Sequence, residues 1–229
     1  MTLEQLLPTS VLVVEAFADD PGEEPFPGEE HQVAKAVPVR RREFVTARRC
    51  AREALGQLGF PPAVIPSGPR REPVWPAGVV GSITHCAGYR AAVVARRAGL
   101  ASVGVDAEPH GPLPEGVQEA VTVPAERDIL DLLARAHPAT HWDKLLFSAK
   151  ESIFKAWFPL TRRWLGFEEA CLTIDPHRRT FTGELLADGT RLDGEPALTA
   201  LHGRFLVAGG LVLTAVHVPA GDVGPSTGC

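Results

Sequence analysis

Lysine is scarce in this chain. Of its 23 basic residues only Lys35, Lys144, Lys150 and Lys155 are lysines. The excess of arginine, with alanine, proline and glycine, reads as compositional bias, and against it two lysines inside the short stretch 147–157 stand out. No apolar run approaches the length needed to span a bilayer, so a membrane partner is not expected. The N-terminus has no basic segment followed by an apolar run and a cleavage site, and a cytoplasmic protein is the expectation. The four cysteines, Cys50, Cys86, Cys171 and Cys229, include no C-x-x-C pair. They read as scattered thiols of a reducing compartment rather than as a zinc site. A net charge of −5 argues against broad nucleic-acid binding. A G-x-x-x-x-G-K-[ST] phosphate loop is also missing, which removes the common class of nucleoside triphosphatase.

What is present is enough for one full-sized core or two small halves: 229 residues, 45% hydrophobic and 22% charged. A strand is expected over 11–18, then an acidic Pro/Gly loop over 19–30. Residues 39–58 predict the first long helix, with Phe44, Ala47, Ala51, Ala54, Leu55 and Leu58 as its apolar stripe and Gly59 and Pro61-Pro62 as its end. Strands are expected at 79–85, 91–96 and 103–108, a spacing that fits an antiparallel meander with a turn at Cys86-Ala-Gly-Tyr89. A short helix over 124–136 starts on Pro124. A second long helix runs from about His141 to Trp157, and Pro159 is expected to stop it. Strands over 171–174, 180–186, 203–208 and 211–218 follow, the last two joined by a Gly209-Gly210 turn, and 221–229 reads as a disordered polar tail.

Three groups of residues suggest chemistry. Glu151 and Lys155 are four apart on one helix face, as a surface ion pair or as an acid and base of one site. Asp106 and Glu108 are two apart on an extended segment and point the same way. They repel unless a cation lies between them, although Asp-x-Glu is also a common surface pattern. Arg40, Arg41, Arg42, Arg48, Arg49 and Arg52 cover one side of the first long helix, with Arg41 and Arg48 nearly in line and Arg52 a turn further on. Such a flank is a solvated face or an anion site. His85 stands at a strand end, where binding groups collect. Together these residues suit a Mg²⁺-dependent reaction at a pyrophosphate.

Gly81-Ser-Ile-Thr-His-Cys86, Val103-Gly-Val-Asp-Ala-Glu-Pro109 and Phe147-Ser-Ala-Lys-Glu-Ser-Ile-Phe-Lys-Ala-Trp157 occur in the order and spacing of 4′-phosphopantetheinyl transferases. The chain resembles the larger, monomeric class. Arg41-Arg-Glu-Phe44, Thr46-Ala-Arg48 and Trp157-Phe-Pro-Leu-Thr-Arg-Arg-Trp-Leu-Gly166 resemble the branch of enterobactin-synthetase component D and actinobacterial enzymes. The resemblance covers roughly residues 38–218.

The resemblance implies an α+β fold of two similar halves about a pseudo-twofold, each a small antiparallel sheet packed with a long helix. The halves would be residues 1–108 and 109–229, with the active site between them. It implies transfer of the phosphopantetheine arm of coenzyme A to a serine of an acyl or peptidyl carrier protein, with release of adenosine 3′,5′-bisphosphate. The synthases served would make polyketides, fatty acids, non-ribosomal peptides or siderophores. Asp106, Glu108 and Glu151 stand where the family binds Mg²⁺, with Ala107 adding a water or a backbone contact. Glu151 also matches the base, and Lys155 matches a phosphate contact that protonates the leaving group. Thr84 and His85 match phosphate contacts, His85 being a catalytic candidate as well. Arg40 and Arg48 match 3′-phosphate contacts, whereas the helical spacing favours Arg41. Ser67 stands where a basic loop contact is usual, which leaves Arg70 and Arg71 to supply it. Leu165 and residues 162–164 match the pantetheine channel or the carrier surface. The alternative is a module that binds coenzyme A or a carrier without turnover, which would be expected to have a damaged constellation.

Overall fold

The computed structural model describes residues 2–221, so the expected tail lies, past Gly221, outside the described residues. A 3-10 turn (Leu3–Leu6) leads into β1 (Leu12–Ala16). A short helix, α1 (Glu30–Val33), precedes the long α2 (Pro38–Gln57). The hairpin β2 (Val79–Cys86) and β3 (Tyr89–Arg96) follows, then β4 (Leu100–Pro109). Helices α3 (Val117–Val121), α4 (Pro124–Ala136) and α5 (Trp142–Thr161) come next. Strands β5 (Ala170–Asp175), β6 (Thr180–Leu185), β7 (Ala200–Ala208) and β8 (Leu211–Pro219) end the described chain. No helix among the described residues is long and apolar enough to cross a membrane.

The strands form two antiparallel sheets, of order β1-β3-β2 and β4-β8-β7-β6-β5. The expected three-strand meander is therefore wrong at its last step. β3 already has β1 on one side and β2 on the other, so β4 finds no free edge there and pairs with β8. The first sheet lays Ala92 and Val94 against Ala51, Ala54 and Leu55 of α2. Its other face, through Ala91, Val93 and Ala95, meets Val103 and Val105 of β4 and Leu213 and Ala215 of β8. The far face of the second sheet buries Leu145, Ala149, Ile153, Ala156 and Trp157 of α5. The layers thus run helix, sheet, sheet, helix, and the α+β class holds. The two sheets have three and five strands, so their likeness goes no further here than one long helix on each.

β4 and β2 meet without a backbone ladder. The N–H of Val105 donates to Ser82 Oγ at 3.1 Å, and that of Ala107 to Thr84 Oγ1 at 3.0 Å. Side-chain hydroxyls therefore satisfy an edge strand whose donors would otherwise be buried and unpaired. On its other face β4 approaches α5 closely at Gly104, where a Cβ would lie 2.0 Å from the carbonyl oxygen of Ser152. A side chain at Gly104 would push the strand off the helix.

Helix α5 does not stop at Pro159, as the sequence suggested, but carries it inside its last turn and ends at Thr161. A proline there forfeits one backbone bond. Burial of Trp157 and Leu160 holds the turn, as does a hydrogen bond from Trp157 Nε1 to the carbonyl of Arg163 at 3.0 Å. Arg162 closes the helix in the left-handed region, with φ 55°.

Candidate active site

A cleft of about 1140 Å³ opens between the two sheet-and-helix units. Arg40, Phe44 and Arg48 from α2 line one side, and Gly81, Ile83 and His85 from β2 the floor. Glu151, Phe154, Lys155 and Phe158 from α5 line the other side, and the connection before β2 adds Ser67, Arg70 and Arg71.

The α5 side gathers the acids. Lys155 Nζ donates to Asp106 Oδ1 at 2.7 Å and to the carbonyl of Val105 at 3.1 Å. Its ion pair is therefore with a residue 49 positions away, set beside it by the approach at Gly104. Thr84 Oγ1 donates to the same Oδ1 at 3.3 Å. Asp106 Oδ2 is buried and has no partner. Glu108, the next side chain on that face of β4, pairs with Lys144 of α5 at 3.3 Å. Burial raises the Glu108 carboxyl above the ordinary carboxylate range, and the charge of Asp106 adds to the effect. Burial likewise raises Glu151, with Lys155 opposing and Asp106 and Glu108 reinforcing. These are three mutually repelling carboxylates, one of which keeps an unsatisfied oxygen. Among the described residues no three Asp, Glu, His or Cys side chains converge into a ready-made ligand set. Lys155 and Lys144 supply the positive charge beside them.

The α2 side gathers the arginines, and here the acidic loop proves informative. Arg41 pairs with Glu24, Arg49 with Glu23 at 3.1 Å, and Arg52 with the fully buried Glu29 at 2.9 Å. The loop thus neutralises the outer flank of the helix. Arg48 is left buried, 4.9 Å above the Phe44 ring, with a 2.9 Å bond to Ser67 Oγ and its Nε unpartnered. Burial lowers its guanidinium to about 10, a cation short of counter-charge. Arg40 reaches both ring nitrogens of His85. Burial, then Arg40 and Lys155, depress His85 to about 4, so its imidazole is neutral at physiological pH.

The cleft therefore assembles Arg40, Arg48, Arg70, Arg71, His85, Glu151 and Lys155 from the sequence-derived candidates. Arg41 is turned onto Glu24 and is not among the lining residues. Thr84 is 2% exposed and faces Asp106 rather than the cleft. Ala107 is fully buried with its N–H spent on Thr84. Leu165 lies in a smaller adjoining pocket with Glu151, Phe154 and Trp164. Sequence reasoning missed Glu43, which lies 3.5 Å from His85 and 3.4 Å from Arg40, and Arg90, whose buried guanidinium pairs with Asp19 at 2.7 Å. Both are ordinary surface letters in the sequence, and only their tertiary partners distinguish them.

Comparison with known proteins gives the family. The family model described as "4'-phosphopantetheinyl transferase N-terminal domain" matches residues 28–95. That of the "4'-phosphopantetheinyl transferase superfamily" matches residues 102–204. The 4′-phosphopantetheinyl transferase PptT of Mycobacterium tuberculosis is 53% identical over 206 residues, 88% of this chain and 89% of its own. Svp of Streptomyces mobaraensis is 52% identical over 94% of this chain and 88% of its own. Npt of Nocardia iowensis is 48% identical over 93% and 98%. Three relatives at 48–53% identity over most of both chains, with both family models, show the family: the chain belongs to the 4′-phosphopantetheinyl transferases, a family of transferase enzymes.

Proposed function

We infer that this transferase moves the 4′-phosphopantetheine arm of coenzyme A onto a serine of an acyl or peptidyl carrier protein and releases adenosine 3′,5′-bisphosphate. The observation that carries the reading is a pair of incompletely satisfied opposites, a guanidinium lining the cleft and a carboxylate buried behind the Lys155 wall of it. Arg48 is desolvated with its Nε unpartnered, and the buried Asp106 Oδ2 is unpartnered too. A ligand bearing phosphates at both ends of a nucleotide, together with a divalent cation, satisfies both.

Hard carboxylate oxygens and an unpartnered Asp106 Oδ2 fit Mg²⁺, which Asp106, Glu108 and Glu151 would hold. Bound there, Mg²⁺ supplies Lewis-acid charge neutralisation at the pyrophosphate. Arg40 and Arg48 hold the phosphate at the nucleoside end, with Arg70 or Arg71 assisting in place of Ser67. Glu151 takes the proton of the carrier serine as its oxygen bonds to the phosphorus that bears pantetheine. A carboxyl raised by burial is tuned in the right direction for that task. The bond from that phosphorus to the bridging oxygen breaks, and Lys155 stabilises the charge gathering on the departing bisphosphate. His85, neutral beside Arg40, accepts or donates a hydrogen bond at the phosphates without adding charge. Leu165, Phe154 and Trp164 offer the apolar wall that the arm requires.

The test is direct. Purified protein, coenzyme A, Mg²⁺ and a panel of apo carrier proteins are combined, and the phosphopantetheine mass increment is sought on each carrier. We expect the increment on at least one carrier. We also expect its loss in Glu151→Ala, with coenzyme A binding retained. Folded protein that modifies no carrier would sink the transferase mechanism and leave coenzyme A or carrier binding alone.

A further inference from the structure

Thr84 and Ser82 are alternate residues of β2 with buried hydroxyls, and both accept a backbone N–H from β4. They differ in one respect. Among the described residues Thr84 alone of the two also reaches a carboxylate, donating to Asp106 Oδ1 at 3.3 Å. Its two polar bonds fix its hydroxyl completely: the proton goes to Asp106, and a lone pair takes the Ala107 N–H at 3.0 Å. Lys155 claims the same Oδ1 at 2.7 Å. Both donors therefore converge on one oxygen and leave the other, Oδ2, buried and without a partner. A Thr84 side chain 2% exposed and spent in this way is a poor phosphate contact, although its motif position suggested one.

We propose that Thr84 is a positioning residue, which with Lys155 occupies Asp106 Oδ1 and so reserves Oδ2 for the divalent cation. The proposal rests on the transferase reading above. It assigns the threonine hydroxyl to the metal end of the site and not to coenzyme recognition. Without that hydroxyl Lys155 alone holds Oδ1, the carboxylate turns more freely about its last bond, and cation binding weakens.

The test compares Thr84→Val, Thr84→Ser and Ser82→Ala with wild type. Mn²⁺ affinity is read by electron paramagnetic resonance of the enzyme without carrier, and kcat and the KM for coenzyme A by the transfer assay. Thr84→Val should weaken Mn²⁺ binding about 10–100-fold and lower kcat, with the KM for coenzyme A unchanged. Thr84→Ser should restore both. Ser82→Ala, which loses the same kind of stitch, should melt earlier yet keep wild-type Mn²⁺ affinity. If Thr84→Val fails to fold, Thr84→Ala takes its place, since it leaves room for water at the Ala107 N–H. A raised KM for coenzyme A with unchanged Mn²⁺ affinity would overturn the proposal, as would equal loss of Mn²⁺ in Ser82→Ala. Both results leave the transferase reading intact. A wild-type protein that binds no Mn²⁺ and modifies no carrier refutes the transferase reading, and this proposal with it.

Discussion

Lys150 and Lys155 lie on the same helix, and each makes a short ion pair with an acid from a distant element. Lys150 Nζ is 2.8 Å from Glu126, and Lys155 Nζ is 2.7 Å from Asp106. The first pair is sealed, with side-chain exposures of 2% and 0%. Glu126 takes the backbone N–H groups of Val123 and Leu172 as well, and Lys150 donates also to the carbonyl of Phe167. Every strong donor or acceptor there is used, and the result ties α4, α5 and β5 together. The second pair is 27% exposed on the lysine side and leaves one carboxylate oxygen over. The difference teaches that distance and charge do not separate structure from chemistry. The unspent atom and the open side do.

Three measurements sharpen or break that contrast. The largest effect is expected for Lys150→Ala, which strands a buried carboxylate and should cost about 3–5 kcal/mol in chemical unfolding. Lys155→Ala should cost about 1–2 kcal/mol, because water reaches its head group. Its transfer rate should nevertheless fall roughly 10²–10³-fold. Equal stability losses in the two variants would erase the distinction between sealed and open pairs.

The smallest effect concerns His85, which sits among the cations on the open side. Its folded value near 4 lies below the 6.5 of an ordinary histidine. As pH falls from about 6.5 toward 4, the unfolded chain takes a proton that the folded one refuses, so stability declines across that window. His85→Gln should make that decline shallower in thermal melts recorded from pH 7 to pH 4. An unchanged slope would mean that His85 charges freely in the folded protein.

The sequence made some of this plain. The stripe through Ala47, Ala51, Ala54 and Leu55 marked the face of α2 that is buried, and Gly209-Gly210 marked the hairpin between β7 and β8. The two-residue spacing placed Asp106 and Glu108 on one face of β4, and the fold turns that face to Lys155 and Lys144 of α5. What was hidden depended on partners far along the chain. Glu151 and Lys155 looked like a helical pair, yet the lysine goes to Asp106 because β4 can come close only at Gly104. Arg41 looked like an anion ligand until the acidic loop folded onto it. Thr84 matched a phosphate contact, yet its hydroxyl faces β4, where no β2–β4 ladder takes the Ala107 N–H.

That acidic loop has a further bearing. Glu23, Glu24 and Glu29 hold their arginines on the outer flank of α2, away from the cleft. Their charges nevertheless contribute to the field that an arriving phosphate meets. Substitution in this loop would strengthen or weaken the pull on an anion entering the cleft while leaving the cleft's own lining untouched. A segment outside the cleft thus sets part of the cleft's attraction for anions, and inheritance can adjust that attraction without rebuilding the lining.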